Sequence, residues 1–396
     1  MPKNPTGEAA HVTVSRRGAA RLKEGHVWVY RSDIPSADNI PPGSLVRVTD
    51  ERGEFLGTAL YSNASQIAIR MISREPVTNL SALLRQRIQE AIAYRKPVVN
   101  DTDAYRVIFS EGDFLPGLIA DRYNDILSIQ VLTQAMDAAP VRQIVLDELA
   151  AQLDPEAIIE RVDAKIRQLE QLPVLESALL RGEKASTIFT MNGVKFHYDG
   201  LAGQKTGAFL DQRENYAAAA QYLRGEALDV FCYQGGFALH MAPHCSKVTG
   251  VDSSRPSLEV ADRNAALNGR DIEWIEANAF DLLRDFAASG RQFDAIVLDP
   301  PAFAKGKRNL ETALRGYKEL NLRALKMLRP SGVLATCSCS YHVSLAQFIE
   351  VVADSARDVH RNIRVLENRT QARDHPILLG VPETAYLKCL IVSVSY

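Results

Sequence analysis

A chain of 396 residues is long enough for two or three domains, and 46% hydrophobic with 24% charged residues excludes disordered, collagen-like and disulfide-scaffold classes. Lys plus Arg number 46 against 48 Asp plus Glu, a formal charge of −2, so no bulk positive field exists. A nucleic-acid partner would have to be held by a local basic surface.

At the amino end MPKNPTGEAA lacks the apolar stretch of a signal peptide, and no apolar run in the chain nears the roughly 18 residues of a membrane span. The expectation is a soluble, cytoplasmic protein with no membrane partner. Residues 11 to 75 carry short alternating runs (HVTVS, VWVY, SLVRVT, FLGTALY, QIAIRMI) between Gly, Pro, Asp and Asn clusters, the pattern of a small β-rich module. Ten basic residues, counting Lys3, face seven acidic ones up to Arg74, and Arg16, Arg17, Arg21 and Lys23 fall together as a candidate phosphate-binding cluster or a solvated face. From Asn79 to about Tyr94, Leu80, Leu83, Leu84, Ile88, Ala91 and Ile92 recur at helical spacing, with Asn79 or Ser81 as cap. This helix leads into a middle region where DILSIQVLT and AIIERV read as strands around an amphipathic helix near Val141 to Leu149. IFTMNGVKFHY reads as two runs around Asn192-Gly193, a hairpin signal because type I′ turns need positive φ at both central residues.

After Tyr198 strand and helix alternate: ALDVF, KVTGVD, IEWIEA, FDAIVLD, GVLATCS, NIRVL and AYLKCLIVSVSY, with helices between. Continuous apolar strands alternating with helices indicate a parallel sheet covered on both faces. The division expected is a β-rich domain at 1–75, an α+β middle domain with its linker helix at 76–198 and an α/β domain at 199–396; no internal repeat is visible.

Three strand ends carry candidate chemistry. In Asp229-Val230-Phe231-Cys232-Tyr233-Gln234-Gly235-Gly236-Phe237 a strand runs into paired glycines at a helix start, where backbone can approach a ligand outside the strand's carboxyl end. Asp252 ends the next strand, where a carboxylate can accept both hydroxyls of a ribose or merely cap the following helix; together the two favour a nucleoside cofactor. In Asp299-Pro300-Pro301-Ala302-Phe303 two prolines end sheet pairing and present Asp299 and the next carbonyls at the sheet edge, suited to a flat polar base. In Thr336-Cys337-Ser338-Cys339-Ser340-Tyr341-His342 the two cysteines share one face of a strand; Cys337 fits a buried hydrophobe, whereas Cys339 should emerge where the strand gives out, beside Asp299, as a thiolate nucleophile. The remaining cysteines, Cys232, Cys245 and Cys389, read as small buried hydrophobes; there is no C-x-x-C pair and no zinc-finger spacing, so no metal is expected.

These segments, with Gly207 to Arg213 upstream, resemble the class I S-adenosylmethionine-dependent methyltransferases, and more closely the large-subunit ribosomal RNA cytosine-C5 methyltransferase family. The resemblance spans nearly the whole chain: a PUA-like amino-terminal domain, EGDFLPGLIADRY, KTGAFLDQREN, FCYQGGF, the strand ending at Asp252, NAALNG, DPPAF, SCSYH, DHP at Asp374 to Pro376 and PETAYLK. It implies a Rossmann-like, mostly parallel seven-stranded sheet, S-adenosyl-L-methionine as cofactor and ribosomal RNA as partner. It also implies that Gly235 and Gly236, with Phe231 and Tyr233 in the same turn, approach the methionine part. Asp252 would take the ribose, and Asp211, Gln212 and Arg213 would close over the cofactor, with Asp299 at its edge. The family's acidic adenine-side residue is here Asn278, with Asp281 a nearby substitute. The family nucleophile falls in Ser338-Cys339-Ser340; related enzymes place a second cysteine beside the Asp-Pro motif, but Ala302 and Phe303 offer none.

On that reading Cys339 adds to C6 of a cytosine, Asp299 binds its N3 and amino edge, Pro300, Pro301 and Phe303 line the base, and Arg16, Arg17, Arg21 and Lys23 contact phosphates. His342 and His375 are the candidate proton acceptors, and an exposed β edge would allow a homodimer. Two rivals stand beside it: an exocyclic-amine methyltransferase, which D-P-P before an aromatic also suits, and a catalytically inactive RNA-binding protein, for which Asn278 speaks.

Overall fold

A computed structural model describes residues 10–37, 39–201, 207–304 and 306–395, except the side chain of Lys307. The sequence readings on residues 1–9, Lys205 and Thr206 lie outside the described residues. The chain divides into two compact units, Met1–Thr187 with Tyr198–Gly207 and Asp374–Thr384, and Ile188–His197 with Ala208–Arg373 and Ala385–Tyr396.

The first unit holds two five-stranded sheets. Strands β1 (Ala10–Thr13), β2 (Trp28–Tyr30), β3 (Leu45–Thr49), β4 (Phe55–Tyr61) and β5 (Ile67–Ser73) form one, in the order β1-β3-β4-β5-β2. Between β1 and β2 the basic cluster is helical: α1 (Arg16–Lys23) starts where the Ser15 side chain accepts from Gly18 N, and it buries Gly18, Ala19 and Leu22. After α2 (Leu80–Val98), capped by Asn79, come β6 (Ala104–Phe109), β7 (Leu118–Tyr123), β8 (Ile126–Val131), α3 (Gln134–Asp137), α4 (Ala139–Leu153), β9 (Ala157–Glu160), α5 (Ala164–Leu169) and β10 (Ala178–Arg181). The second sheet runs β10-β9-β8-β7-β6, with β8 and β9 parallel and joined through α4. The segment Asp374–Thr384 is built into this unit: Asp374 Oδ2 accepts from Arg106 N at 2.8 Å, its carbonyl accepts from Arg95 at 2.8 Å, and Val381 lies in the core beside Val29 and Val46.

The second unit receives most of the hairpin β11 (Ser186–Met191) and β12 (Val194–Asp199), whose turn has φ of 49° at Asn192 and 80° at Gly193. It continues with α6 (Arg213–Ala220), β13 (Gly225–Val230), α7 (Gly236–Met241), β14 (Cys245–Asp252), α8 (Arg255–Leu267), β15 (Glu273–Glu276), α9 (Ala279–Ala288), β16 (Phe293–Leu298), α10 (Leu310–Met327), β17 (Leu328–Ser338), α11 (Leu345–Asp358), β18 (Asn362–Arg369) and β19 (Lys388–Ser395). The seven strands β13 to β19 form one sheet in the order β15-β14-β13-β16-β17-β19-β18; the pairings from β15 through to β17 are parallel, and β19 runs antiparallel to both its neighbours. Strand order reverses between β13 and β16, and ligands of such sheets lie outside the carboxyl ends at that point. Two asparagines of NAALNG tie the hairpin to α8: Asn264 Oδ1 accepts from His197 N at 2.9 Å while its amide donates to Gln234 O, and Asn268 bonds both the N–H and the carbonyl of Lys195. Leu228, Ile296, Tyr317, Leu325, Leu334 and Phe348 centre the core between sheet and helices.

Candidate active site

The carboxyl ends of β13, β14, β16 and β17 bring the three motif segments together. The turn after β13 is held in the left-handed region at Phe231 (φ 67°), Tyr233 (φ 49°) and Gly235 (φ 85°). Two non-glycine residues there are unfavourable alone and persist because Cys232 N donates to Val251 O and Tyr233 N to Asp252 Oδ2. The two glycines have separate reasons. A Cβ on Gly235 would need a positive φ and would lie 3.0 Å from the Trp274 ring, whereas a Cβ on Gly236 would come within 2.5 Å of Tyr216. Gly235 therefore shapes the turn, and Gly236 makes room for Tyr216.

Asp252 is half-buried at the end of β14, its carboxylate fixed by the amides of Tyr233 and Ser254, each at 2.9 Å. A carboxylate oxygen has a second lone pair, so both remain able to accept from vicinal hydroxyls. Asp229, at the base of the turn, was not singled out from the sequence. One of its oxygens accepts from Ala238 N at 2.8 Å and the other is buried without a partner. Burial pushes its carboxyl up to about 8, Ala238 N–H pulls it back, and Asp299 and Asp252 add like charge. Asp211 likewise keeps one buried oxygen without a hydrogen-bond partner, the other accepting from Tyr386 Oη at 2.6 Å. Its carbonyl accepts from Ala372 N. Gln212 and Arg213 are both 2% exposed, Gln212 taking the Asn215 amide at 2.7 Å and Arg213 lying 3.7 Å from Glu214. The phenol of Tyr216 ties these groups into one neighbourhood: burial raises it well above its usual value, and Asp299, Asp211, Asp229 and Cys337 all add to the shift. A left-handed turn, a strand-end carboxylate and a buried Asp211 carboxylate oxygen without a hydrogen-bond partner fit a nucleoside cofactor carrying a cationic amino acid.

Asp299 is the first residue past β16, its N–H donating to Val230 O at 3.3 Å. Pro300 is buried and Pro301 exposed. Phe303 is packed against Tyr317 and Phe280, with ring centroids at 4.8 and 6.0 Å, which makes it a wall of the site rather than a free stacking surface. Cys339 is the first residue past β17, half-buried, with Sγ 3.7 Å from Pro300 O. Cys337 is fully buried opposite Cys389, and burial raises its thiol far from ionisation. Ser340 is locked by Tyr317 Oη at 2.9 Å and by Ala304 N at 3.2 Å.

Of the other expected residues, Asn278 lies at the same edge, next to Ala277, whose N–H donates to Asp252 O at 3.1 Å. Asn278 is exposed and caps α9, its side-chain oxygen accepting from Phe280 N and Asp281 N. Asp281 pairs with Arg284 at 2.9 Å. His375 belongs to the first unit, 2% exposed beside Phe109 and its own neighbour Asp374, which makes it a packing residue. His342 is half-buried with its ring edge-on to Tyr341. The four basic residues of α1 are all paired: Arg16 with Glu51, Arg17 and Arg21 with the buried Asp33, and Lys23 with Glu54 and Asp50. Among the described residues no three His, Cys, Asp or Glu gather as a metal site requires, and no helix is long and apolar enough to cross a membrane.

Known proteins match this arrangement. Residues 12–74 match the PUA-like domain family, and residues 156–391 match the S-adenosylmethionine-dependent methyltransferase family. The chain is 38% identical to the ribosomal RNA large subunit methyltransferase I of Shewanella denitrificans over 94% of this chain and 96% of that one, and 36% identical to that of Photobacterium profundum over 93% and 95%. A solved methyltransferase structure complexed with SAH superposes with a TM-score of 0.84 at 20% identity, covering 97% of this chain and all of that one, which establishes the shared fold. With its strand order, its left-handed turn and these relatives in agreement, the chain belongs to the S-adenosylmethionine-dependent methyltransferase family and carries a PUA-like domain at its amino end.

Proposed function

We propose that this protein methylates C5 of a cytosine in large-subunit ribosomal RNA through a covalent adduct of Cys339. The observation that carries the reading is the thiol of Cys339 against the Asp299-Pro300 exit, at the sheet edge where the turn after β13 and Asp252 also lie. The relatives' name supplies the RNA class.

Cytosine C5 is too weak a nucleophile to be methylated directly, and addition of the Cys339 thiolate to C6 moves the ring electron pair onto C5. Bound on the turn and Asp252, S-adenosylmethionine supplies the electrophilic sulfonium methyl group. After C5 has taken the methyl, loss of its proton restores the C5–C6 double bond and breaks the C6–Sγ bond, returning the thiolate. Asp299 orients the base by accepting from its amino group and stabilises protonation at N3 as charge develops. Both ring faces must be reached, so the target cytosine is unpaired or flipped from its stem.

The test is nucleoside mass spectrometry of large-subunit RNA incubated with the protein and S-adenosylmethionine. New 5-methylcytosine, lost by about a thousandfold or more in Cys339→Ser, is the expected result. A methylated exocyclic amine that persists in Cys339→Ser would replace this reading by amine methylation, and absence of any methylation together with absent cofactor binding would favour an RNA-binding role.

A further inference from the structure

Lys388 opens β19 opposite Ser338 of β17 and is 7% exposed. Its ammonium donates to Ser340 O at 2.7 Å and to Tyr386 O at 2.9 Å, so two of its three N–H groups are spent on carbonyls, one of them on the residue that follows Cys339. Among the described residues no carboxylate lies within ion-pair distance of it. A buried cation normally takes an acidic partner, because its desolvation is otherwise uncompensated. Here the ammonium lies instead on the carbonyl of Ser340, the residue bonded to Cys339, and a Cys339 thiolate would favour its charge.

Resting on the cysteine reading above, we propose that Lys388 is a positioning residue for the nucleophile, its ammonium held by Ser340 O and Tyr386 O as the counter-charge of the Cys339 thiolate. Ionisation of Cys339 releases its proton to water, and Lys388 keeps all three of its own. When sulfur adds to C6 the negative charge moves to the base, and when the adduct breaks the thiolate returns to its cation.

Among the described residues the other titratable groups around this strand end include Asp299 at the exit of β16, Tyr317 of α10, the buried Cys337 and Cys389, His342 three residues past Cys339, and Asp211 bonded to Tyr386. Two of these, Asp299 and Asp211, are carboxyls that oppose a thiolate, which makes a local cation the more necessary. Burial lowers the Lys388 ammonium to about 8, and the Cys339 charge pulls it back up. The lysine is therefore still charged at neutral pH and loses its charge just above it. Thiolate stabilisation is expected to be full below about 8 and to fade as pH rises through that value.

The experiment measures alkylation of Cys339 by iodoacetamide against pH, using the full-length protein, with site occupancy read by peptide mass spectrometry and Cys339→Ser as background. In Lys388→Met the rate at pH 7 should fall at least tenfold, with the half-ionisation point moving up by about one pH unit or more, and Lys388→Arg should recover much of it. Melting curves and S-adenosylmethionine binding identify a variant that has merely unfolded. Equal alkylation rates in folded Lys388→Met and the parent protein would overturn the assignment, even where 5-methylcytosine is formed. A lysine-dependent thiol in a protein that makes no 5-methylcytosine would uphold the pair and overturn the reaction instead.

Discussion

Asp229 shows how one carboxyl can serve a site at a cost to the fold. An unfolded chain ionises it near the ordinary value of 3.8, whereas the folded chain keeps it protonated up to about 8. Protons are thus released on unfolding between those values, so its contribution to stability falls as pH rises through that window and reaches its minimum above 8. Asp229→Asn keeps an acceptor for Ala238 N–H and removes the ionisation. Its melting temperature should exceed that of the parent by roughly 2–8 °C at pH 8, with the difference shrinking towards pH 4; equal shifts at both pH values would show that ionisation is not the cause. At the same scale Asp33, 3% exposed between Arg17 and Arg21, is the reason two of the basic residues lie where they do. Arg21→Ala leaves that carboxylate short of a cation and should destabilise the first unit by about 1–3 kcal/mol in urea titrations, more than Arg16→Ala, whose side chain is 90% exposed.

Among the elements, the helix after the turn and the hairpin are the ones with identifiable fastenings. In Gly236→Ala the new methyl must displace the Tyr216 ring, and a loss of about 1–3 kcal/mol with weaker cofactor binding is expected by calorimetry. Asn264→Ala removes the acceptor for His197 N and the donor to Gln234 O, so amide exchange across Ile188–His197 should accelerate before that of the central strands does. The strands of the large sheet were legible because each is a short apolar run between turn residues, and the Asn192-Gly193 turn because its chemistry is local. Strand β6 escaped the sequence reading, since a register shift between Arg106 and Ile108 breaks the alternation and buries Val107 and Ile108 together. Helix α1 escaped because its eight residues are mostly charged or small, and the cluster was read only for its charge. Lys388 could not be tied to Cys339 from sequence at all, because it is the antiparallel pairing of β17 with β19 that sets Lys388 opposite Ser338, one residue before Cys339. The Asn278 oxygen was legible as an acceptor, but not which donors it would take.

For the molecule as a whole, a formal charge of −2 and a fully paired α1 limit how RNA can be held. Each phosphate contact made by a lysine or arginine steepens the fall of log affinity against log salt by about 0.7 on a single strand to about 0.9 on a duplex. If the exposed Arg16 makes one, Arg16→Ala should reduce that slope by about one unit in a filter-binding series, and an unchanged slope would remove Arg16 from the RNA surface. The return of Asp374–Thr384 to the first unit has a consequence for synthesis. The Asp374 groups that hold Arg95 and Arg106 are made 279 and 268 residues after them. The first unit cannot finish folding in its order of emergence. Chains stalled on the ribosome before Asp374 should remain open to protease around β6, and the first unit should close only as the last strand of the second is being delivered.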